Sequence, residues 1–298
     1  MYDMYLELYL GYLENNNLSQ RTLNDYKKEL TKFTQYLETK GVQEVEAIKT
    51  LHIDMYTTEW LKKKNVSTTR AKKVTILKRF FHFLYTREYI QKNPMMAIDN
   101  IKIKDVDKKE KFVLTRKESE KLIRTVTKHT RNKEKSRSLI FIMLKCGLRV
   151  NEVCELKVKN IDFNKKTIRV DGKGGKTRYV PLFEEMIGDL KTYLKNRKTN
   201  SEFLFTSKDS EKQLTPRAVH DFVKTYIHKA KIDKVIGCHA LRRTAATQLL
   251  KEGARITSIQ KFLGHSTVAT TEMYLQESES EIQNEIRSKT RNIVAKNK

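Results

Sequence analysis

Cys238-His239-Ala240-Leu241-Arg242-Arg243, followed by Leu263-Gly264-His265 and by Tyr274, is the stretch from which the rest of the chain can be read. His239 and Arg242 stand three apart, so one helical turn brings both to the same face. Their helix runs to Gly253, a residue suited to a helix C-terminus. Ile256 to Leu263 forms another helix, and Ser266 caps one more that carries Tyr274. Upstream, Gly147-Leu148-Arg149-Val150-Asn151-Glu152 supplies a further arginine, and Asp171-Gly172-Lys173-Gly174-Gly175-Lys176 sets Lys173 at the tip of a turn. Two arginines, two histidines, a lysine and a tyrosine suit one chemical task, which is to hold a phosphodiester while a phenol attacks it.

The charge balance points the same way. Lysine and arginine number 61 against 36 acidic residues, a formal +25 in 298 residues. A field of that sign concentrates polyanions and speeds their encounter, so nucleic acid is the expected partner. Membrane is not: no apolar run is long enough to span a bilayer. Met1-Tyr2-Asp3-Met4-Tyr5 has neither a basic leader nor a small-residue cleavage site, so the expected location is the cytoplasm, in association with the nucleoid. Cys146, Cys154 and Cys238 are odd in number and lack metal-ligand spacing, so they read as idle thiols in a reducing compartment. Gly175-Lys176-Thr177 resembles the end of a P-loop, but position 170 is Val170 where a glycine is required, and the segment runs from strand to strand.

In chain order, residues 1–100 read as an all-helical domain. Tyr2, Leu6, Tyr9, Leu10 and Leu13 mark a first helix. Ser19 caps a second, with Leu23, Tyr26, Leu30, Phe33 and Leu37 at steps of three and four. A third covers Leu51 to Lys64. The fourth starts at Ser67 and is expected to stop before Asn93-Pro94, since proline disfavours helix just ahead of it. Arg70, Lys72, Lys73, Lys78 and Arg79 line its less apolar sides, where they would meet backbone phosphates. Residues 101–111 form a charged, extended linker. Thr115-Arg116-Lys117-Glu118 is a capping box that opens the next helical stretch, within a second domain of residues 112–276. Asn160 to Phe163, Thr167 to Val170 and Arg178 to Leu182 are short β-branched or aromatic runs separated by turn residues, a three-stranded antiparallel sheet. Thr215-Pro216 starts a further helix. The tail, 277–298, carries Ile282, Ile286, Ile293 and Val294 on one polar helix. The fold class is therefore mainly α with a small antiparallel β-sheet: a helical domain followed by a mixed α/β domain.

Gly147-Leu148-Arg149 with Glu152, Lys173 in its β-turn, His239-Ala240-Leu241-Arg242, Leu263-Gly264-His265 and Tyr274 together resemble the tyrosine recombinase (phage integrase) family, and its simple Xer-type members in particular. The resemblance covers nearly the whole chain, without the extra N-terminal arm-binding domain of lambda-type integrases. It implies a SAM-like core-binding domain and a catalytic domain. Arg149 and Arg242 would clamp the scissile phosphate, His239 would be the base toward the nucleophile Tyr274, His265 a further donor, Lys173 the acid for the departing 5′-hydroxyl, and Glu152 an orienting neighbour. The product would be a 3′-phosphotyrosyl enzyme that reseals without ATP. No cofactor and no metal ion is implied. The expected partners are double-stranded DNA with a specific short site and further protomers, in a homotetramer or a heterotetramer with a paralogue, linked through the tail. The expected roles are dimer resolution, or integration, excision or cointegrate resolution for a mobile element. A catalytically silent DNA-binding regulator of the same fold and a type IB topoisomerase-like nicking enzyme are the rival readings.

Overall fold

Apolar side chains three and four residues apart give the N-terminal part of the chain its helices. A computed structural model describes residues 2–62, 66–103, 112–172, 175–207 and 210–264. The chain divides into two units, Met1–Glu110 and Lys111–Lys298. The first contains α1 (Tyr2–Asn15), α2 (Gln20–Thr39), α3 (Thr50–Met55) and α4 (Ser67–Thr86). Ser19 caps α2, its hydroxyl accepting from the Thr22 N–H at 3.4 Å. Tyr9, Leu30, Phe33, Leu37, Leu77, Phe81 and Leu84 form the buried seam between the helices.

One local feature of this unit departs from the periodic reading. The expected helix from Leu51 to Lys64 is α3 followed by a π-helical turn, Tyr56–Leu61. Tyr56, at the start of that turn, is buried and donates to Glu29 Oε1 at 3.1 Å, and Lys73 Nζ lies 2.8 Å from the same carboxylate. A buried carboxylate is tolerated because it is both paired and hydrogen-bonded. α4 stops before Asn93-Pro94, as expected, its last residue being Thr86. Glu88 adopts φ +60, a left-handed conformation that stops the helix and turns the chain.

The second unit contains α5 (Arg116–His129), α6 (Lys133–Leu144), α7 (Val150–Glu155), β1 (Ile161–Asp162), β2 (Thr167–Asp171), β3 (Thr177–Pro181), α8 (Glu184–Asn196), α9 (Pro216–Lys229), α10 (Cys238–Lys251) and α11 (Ile256–Leu263). The capping box is formed: Thr115 Oγ1 accepts from the Glu118 N–H at 3.2 Å, and Glu118 Oε2 from the Thr115 N–H at 2.7 Å. Leu139 to Leu144 are all buried, because α6 is enclosed by α5, α8 and α10. The sheet is antiparallel in the order β1-β2-β3, with Ile161 opposite Ile168 and Ile168 opposite Val180, so these apolar residues share its inner face. α8 has no counterpart in the sequence reading. Met186, Leu190 and Tyr193 are its buried seam, and Gly188 in its middle weakens the local signal. Cys146, Cys154 and Cys238 are buried free thiols, and burial pushes Cys154 up to about 11 and the other two up to about 12. Among the described residues, no helix is long and apolar enough to cross a membrane.

Gly147 makes the corner between α6 and α7 at φ +64, and a Cβ there would stand 2.7 Å from Leu263 Cδ2. Gly147→Ala should therefore cost about 1–3 kcal/mol through overpacking alone. Thermal unfolding is the check, and an unshifted midpoint would contradict the close approach.

Candidate active site

Four elements of the second unit converge: the α6–α7 corner, strand β3, the start of α10 and the end of α11. Arg149 is the N-cap of α7, and Glu152 lies one turn inside it. The Glu152 carboxylate turns back to accept from the Arg149 N–H at 2.7 Å and from its guanidinium at 2.8 Å. Arg178, on β3, grips the same carboxylate with both terminal nitrogens, at 2.9 and 2.8 Å. Arg242 Nη1, on α10, is 3.8 Å from Glu152 Oε2. Three guanidiniums thus surround one carboxylate.

The last carbonyls of α11 complete the arrangement. Phe262 O accepts from Arg178 Nε at 3.0 Å, Leu263 O from Arg242 Nη2 at 2.6 Å, and Gly264 O from Arg149 Nη2 at 3.2 Å. Three successive carbonyls therefore receive three different arginines. A helix C-terminus is suited to this, because its final carbonyls lack partners within the helix and carry partial negative charge. Gly264 is the left-handed cap at φ 68, and a Cβ on it would come within 3.1 Å of the Arg178 side chain. Arg242 also donates to Gly147 O at 2.6 Å.

The charges do not cancel. Burial by itself would raise the Glu152 pKa, but the hydrogen bonds and charge of Arg178, then those of Arg149, hold it below the ordinary carboxylate value. One carboxylate against three guanidiniums leaves a cationic patch. His239 sits at the opening of α10, on its solvent side. Partial burial of its ring, then the charges of Arg243, Arg242 and Arg149, hold its pKa below the ordinary 6.5. The imidazole is therefore neutral at physiological pH and can accept a proton.

Of the residues singled out in the sequence, the structure brings Arg149, Glu152, His239 and Arg242 together. Lys173, His265 and Tyr274 lie outside the described residues, as do 277–298 and most of the expected linker. Arg149 is the accessible guanidinium, with 42% of its side chain exposed, whereas Arg242 is 1% exposed. Arg178 is the residue that sequence reading passed over. It shares a sheet face with Val180, and a charged residue at an inward register needs a buried partner. On α4, Lys73 is engaged with Glu29, Lys78 donates to Asn100 at 3.0 Å, and Arg79 donates to the Tyr26 hydroxyl at 2.9 Å. Lys72 and Arg79 are exposed, and Arg70 is half-buried.

Residues 112–281, more than half of the chain, match the model of the phage integrase family. The chain belongs to the phage integrase family. Residues 6–88 match the SAM-like N-terminal domain of phage integrases. Among curated relatives, the tyrosine recombinase XerC of Anoxybacillus flavithermus is 29% identical over 281 residues, covering 90% of this chain and 91% of its own. The tyrosine recombinase XerD of Staphylococcus epidermidis is 29% identical over 284 residues, covering 93% and 95%. Among solved structures, the Tn1549 transposon integrase in complex with transposon right end DNA superposes with a TM-score of 0.79 at 20% identity, covering 96% of this chain and 99% of that one. The XerH site-specific recombinase in its post-cleavage complex with a palindromic difH substrate gives 0.76 at 23% identity, covering 91% and 80%. This phage integrase family member is thus a tyrosine recombinase, mainly helical with a small antiparallel sheet, as its motifs imply.

Proposed function

We propose that the chain is a site-specific DNA recombinase that cuts and rejoins duplex DNA through a 3′-phosphotyrosyl intermediate, as four protomers on two short sites. The observation that carries this reading is the cluster of three guanidiniums on one carboxylate, with a neutral His239 beside it. Such a patch suits a group that gains negative charge as it reacts.

In the proposed step, the Tyr274 oxygen attacks the scissile phosphorus and a Tyr–O–P bond forms. The phenol proton passes to His239. The bond from phosphorus to the 5′-oxygen breaks, and Lys173 protonates that oxygen, which departs as a 5′-hydroxyl. Arg149 gives paired hydrogen bonds to a non-bridging oxygen, a geometry that guanidinium supplies and lysine does not. Arg242 works from beneath through its charge, and reaches the phosphate by exchanging the Leu263 carbonyl for a phosphate oxygen. His265 donates to the same oxygens. The phosphotyrosine retains the energy of the broken linkage, so a 5′-hydroxyl reseals the strand without ATP. Of the α4 cations, Lys72 and Arg79 are exposed and would meet backbone phosphates, whereas Lys73 is committed to Glu29. The 277–298 segment would join neighbouring protomers, and the working location is the cytoplasm.

The test is a nicked suicide duplex carrying a site that the chain itself selects from a randomised library. An SDS-resistant protein–DNA adduct supports the reading; tight binding with no adduct on any selected duplex overturns it in favour of a silent regulator. The rate of adduct formation should also fall with acid. With His239 as the base, the fall is centred below 6.5, the ordinary histidine value, because the folded ring holds its proton less readily. A rate that stays level as pH falls from the ordinary histidine value to the acid limit of folding would remove His239 from the base role.

A further inference from the structure

We infer that Arg178 is a positioning residue for the cleavage step, resting on the chemistry proposed above. Its side chain is only 12% exposed, so it is poorly placed to meet DNA itself. Its hydrogen bonds go inward. Both terminal nitrogens hold Glu152, and Nε holds Phe262 O. Glu152 in turn holds the guanidinium and the main-chain N–H of Arg149, the exposed cation that faces the phosphate.

The fork geometry is what makes this specific. Arg149 meets one oxygen with its main-chain N–H and the other with a half-exposed guanidinium, and a second, mostly buried guanidinium binding both oxygens from β3 locks the plane of the carboxylate. Arg149 is then aimed from two sides, by Glu152 and by the Gly264 carbonyl. Arg178 reaches the same end of α11 through Phe262 O, two residues before Gly264. Both supports of Arg149 therefore lead back to Arg178. Gly264 fits the same arrangement, since the space a Cβ would need is occupied by the Arg178 side chain. Lysine cannot replace this residue, because a single ammonium has no fork.

The alternative role for Arg178 is to steady the β2–β3 hairpin and, through it, Lys173. A change of leaving atom separates the two. Where sulfur replaces the bridging 5′-oxygen, the strand departs as a thiolate and needs no protonation, so a defect in delivering the Lys173 proton disappears. A defect in holding the phosphate persists. The experiment compares the parent chain, Arg178→Gln and Arg178→Lys on the selected suicide duplex, with oxygen and with sulfur at the cleaved bond. Duplex affinity and the rate of adduct formation at saturating DNA are both measured.

The expected result is a rate about 10²-fold lower for Arg178→Gln, the loss typical of one misplaced donor, and at least about tenfold lower for Arg178→Lys. The deficit should be the same with either leaving atom, and affinity should remain within about threefold. A deficit erased by sulfur would move Arg178 to the service of Lys173 and overturn the inference. So would a rate within about threefold of the parent, or loss of DNA binding by both variants, which would make Arg178 merely structural. An adduct-free parent chain would be a different failure: it removes the proposed chemistry, and this inference with it.

Discussion

The Tyr274→Phe chain should bind its selected duplex as tightly as the parent chain and form no covalent adduct at all. The substitution removes one oxygen atom, and that oxygen is the one proposed to bond to phosphorus. No neighbouring group can compensate by a change of pKa or position. By contrast, losing the base His239 leaves the nucleophile in place and should slow the step by about 10²–10⁴-fold, the usual contribution of a positioned proton acceptor. The two variants therefore differ in kind: one is slow, the other silent. Peptide mapping of the parent adduct should place the DNA on the peptide that contains Tyr274. An adduct of normal yield from the phenylalanine chain would reassign the nucleophile.

Glu152→Gln should be the most destabilising polar substitution in the second unit. The carboxylate is 8% exposed and faces three guanidiniums. An amide keeps one acceptor but turns an N–H₂ group toward arginine donors, so cations are left buried without their counterion. Breaking a buried ion pair from one side costs about 3–5 kcal/mol. With a loss of roughly 2–4 °C per kcal/mol for a unit of this size, the unfolding midpoint should fall on the order of 10 °C. The same group sets an acid response. Its folded pKa lies below the unfolded value near 4.5, so its contribution is complete above that value. The contribution then fades as pH falls through the lower folded pKa. The parent chain should lose stability over that window, and Glu152→Gln should lose less. Equal acid sensitivity in the two chains would show that another carboxylate governs the response.

How much is legible in the sequence depends on the type of interaction. Periodicity is local, so Leu23 to Leu37 on α2 and the capping box before α5 can be read directly. The hairpin is legible because β-branched residues alternate around a glycine-rich turn. α8 is not, because Gly188, on its exposed side, lowers the helical propensity of the segment. The candidate site residues that the fold brings together, Arg149, Glu152, His239 and Arg242, are singled out by motif spacing. What spacing does not supply is their environment. Arg242 reads as a phosphate ligand, yet its burial depends on Gly147 and Leu263, far from it in the chain. Lys73 reads as a surface cation, and only the packing of α4 against α2 reveals Glu29 as its partner. Arg178 can be found by asking why a charged residue shares an inward register with Val180.

The row of carbonyls at the end of α11 also sets an order of assembly. The contacts that build the cationic cluster join residues 95 apart for Arg242 and Gly147, 84 apart for Arg178 and Phe262, and 115 apart for Arg149 and Gly264. Leu114, at the start of the second unit, donates to Thr244 on α10 across 130 residues. Loops of that length must close before any of these bonds forms, so the cluster is completed late in folding. During synthesis, Arg149 and Arg178 emerge well before the carbonyls that hold them. A nascent chain that has exposed Arg149 and Arg178 but not yet Phe262 and Gly264 thus carries these guanidiniums without the carbonyls that organise them.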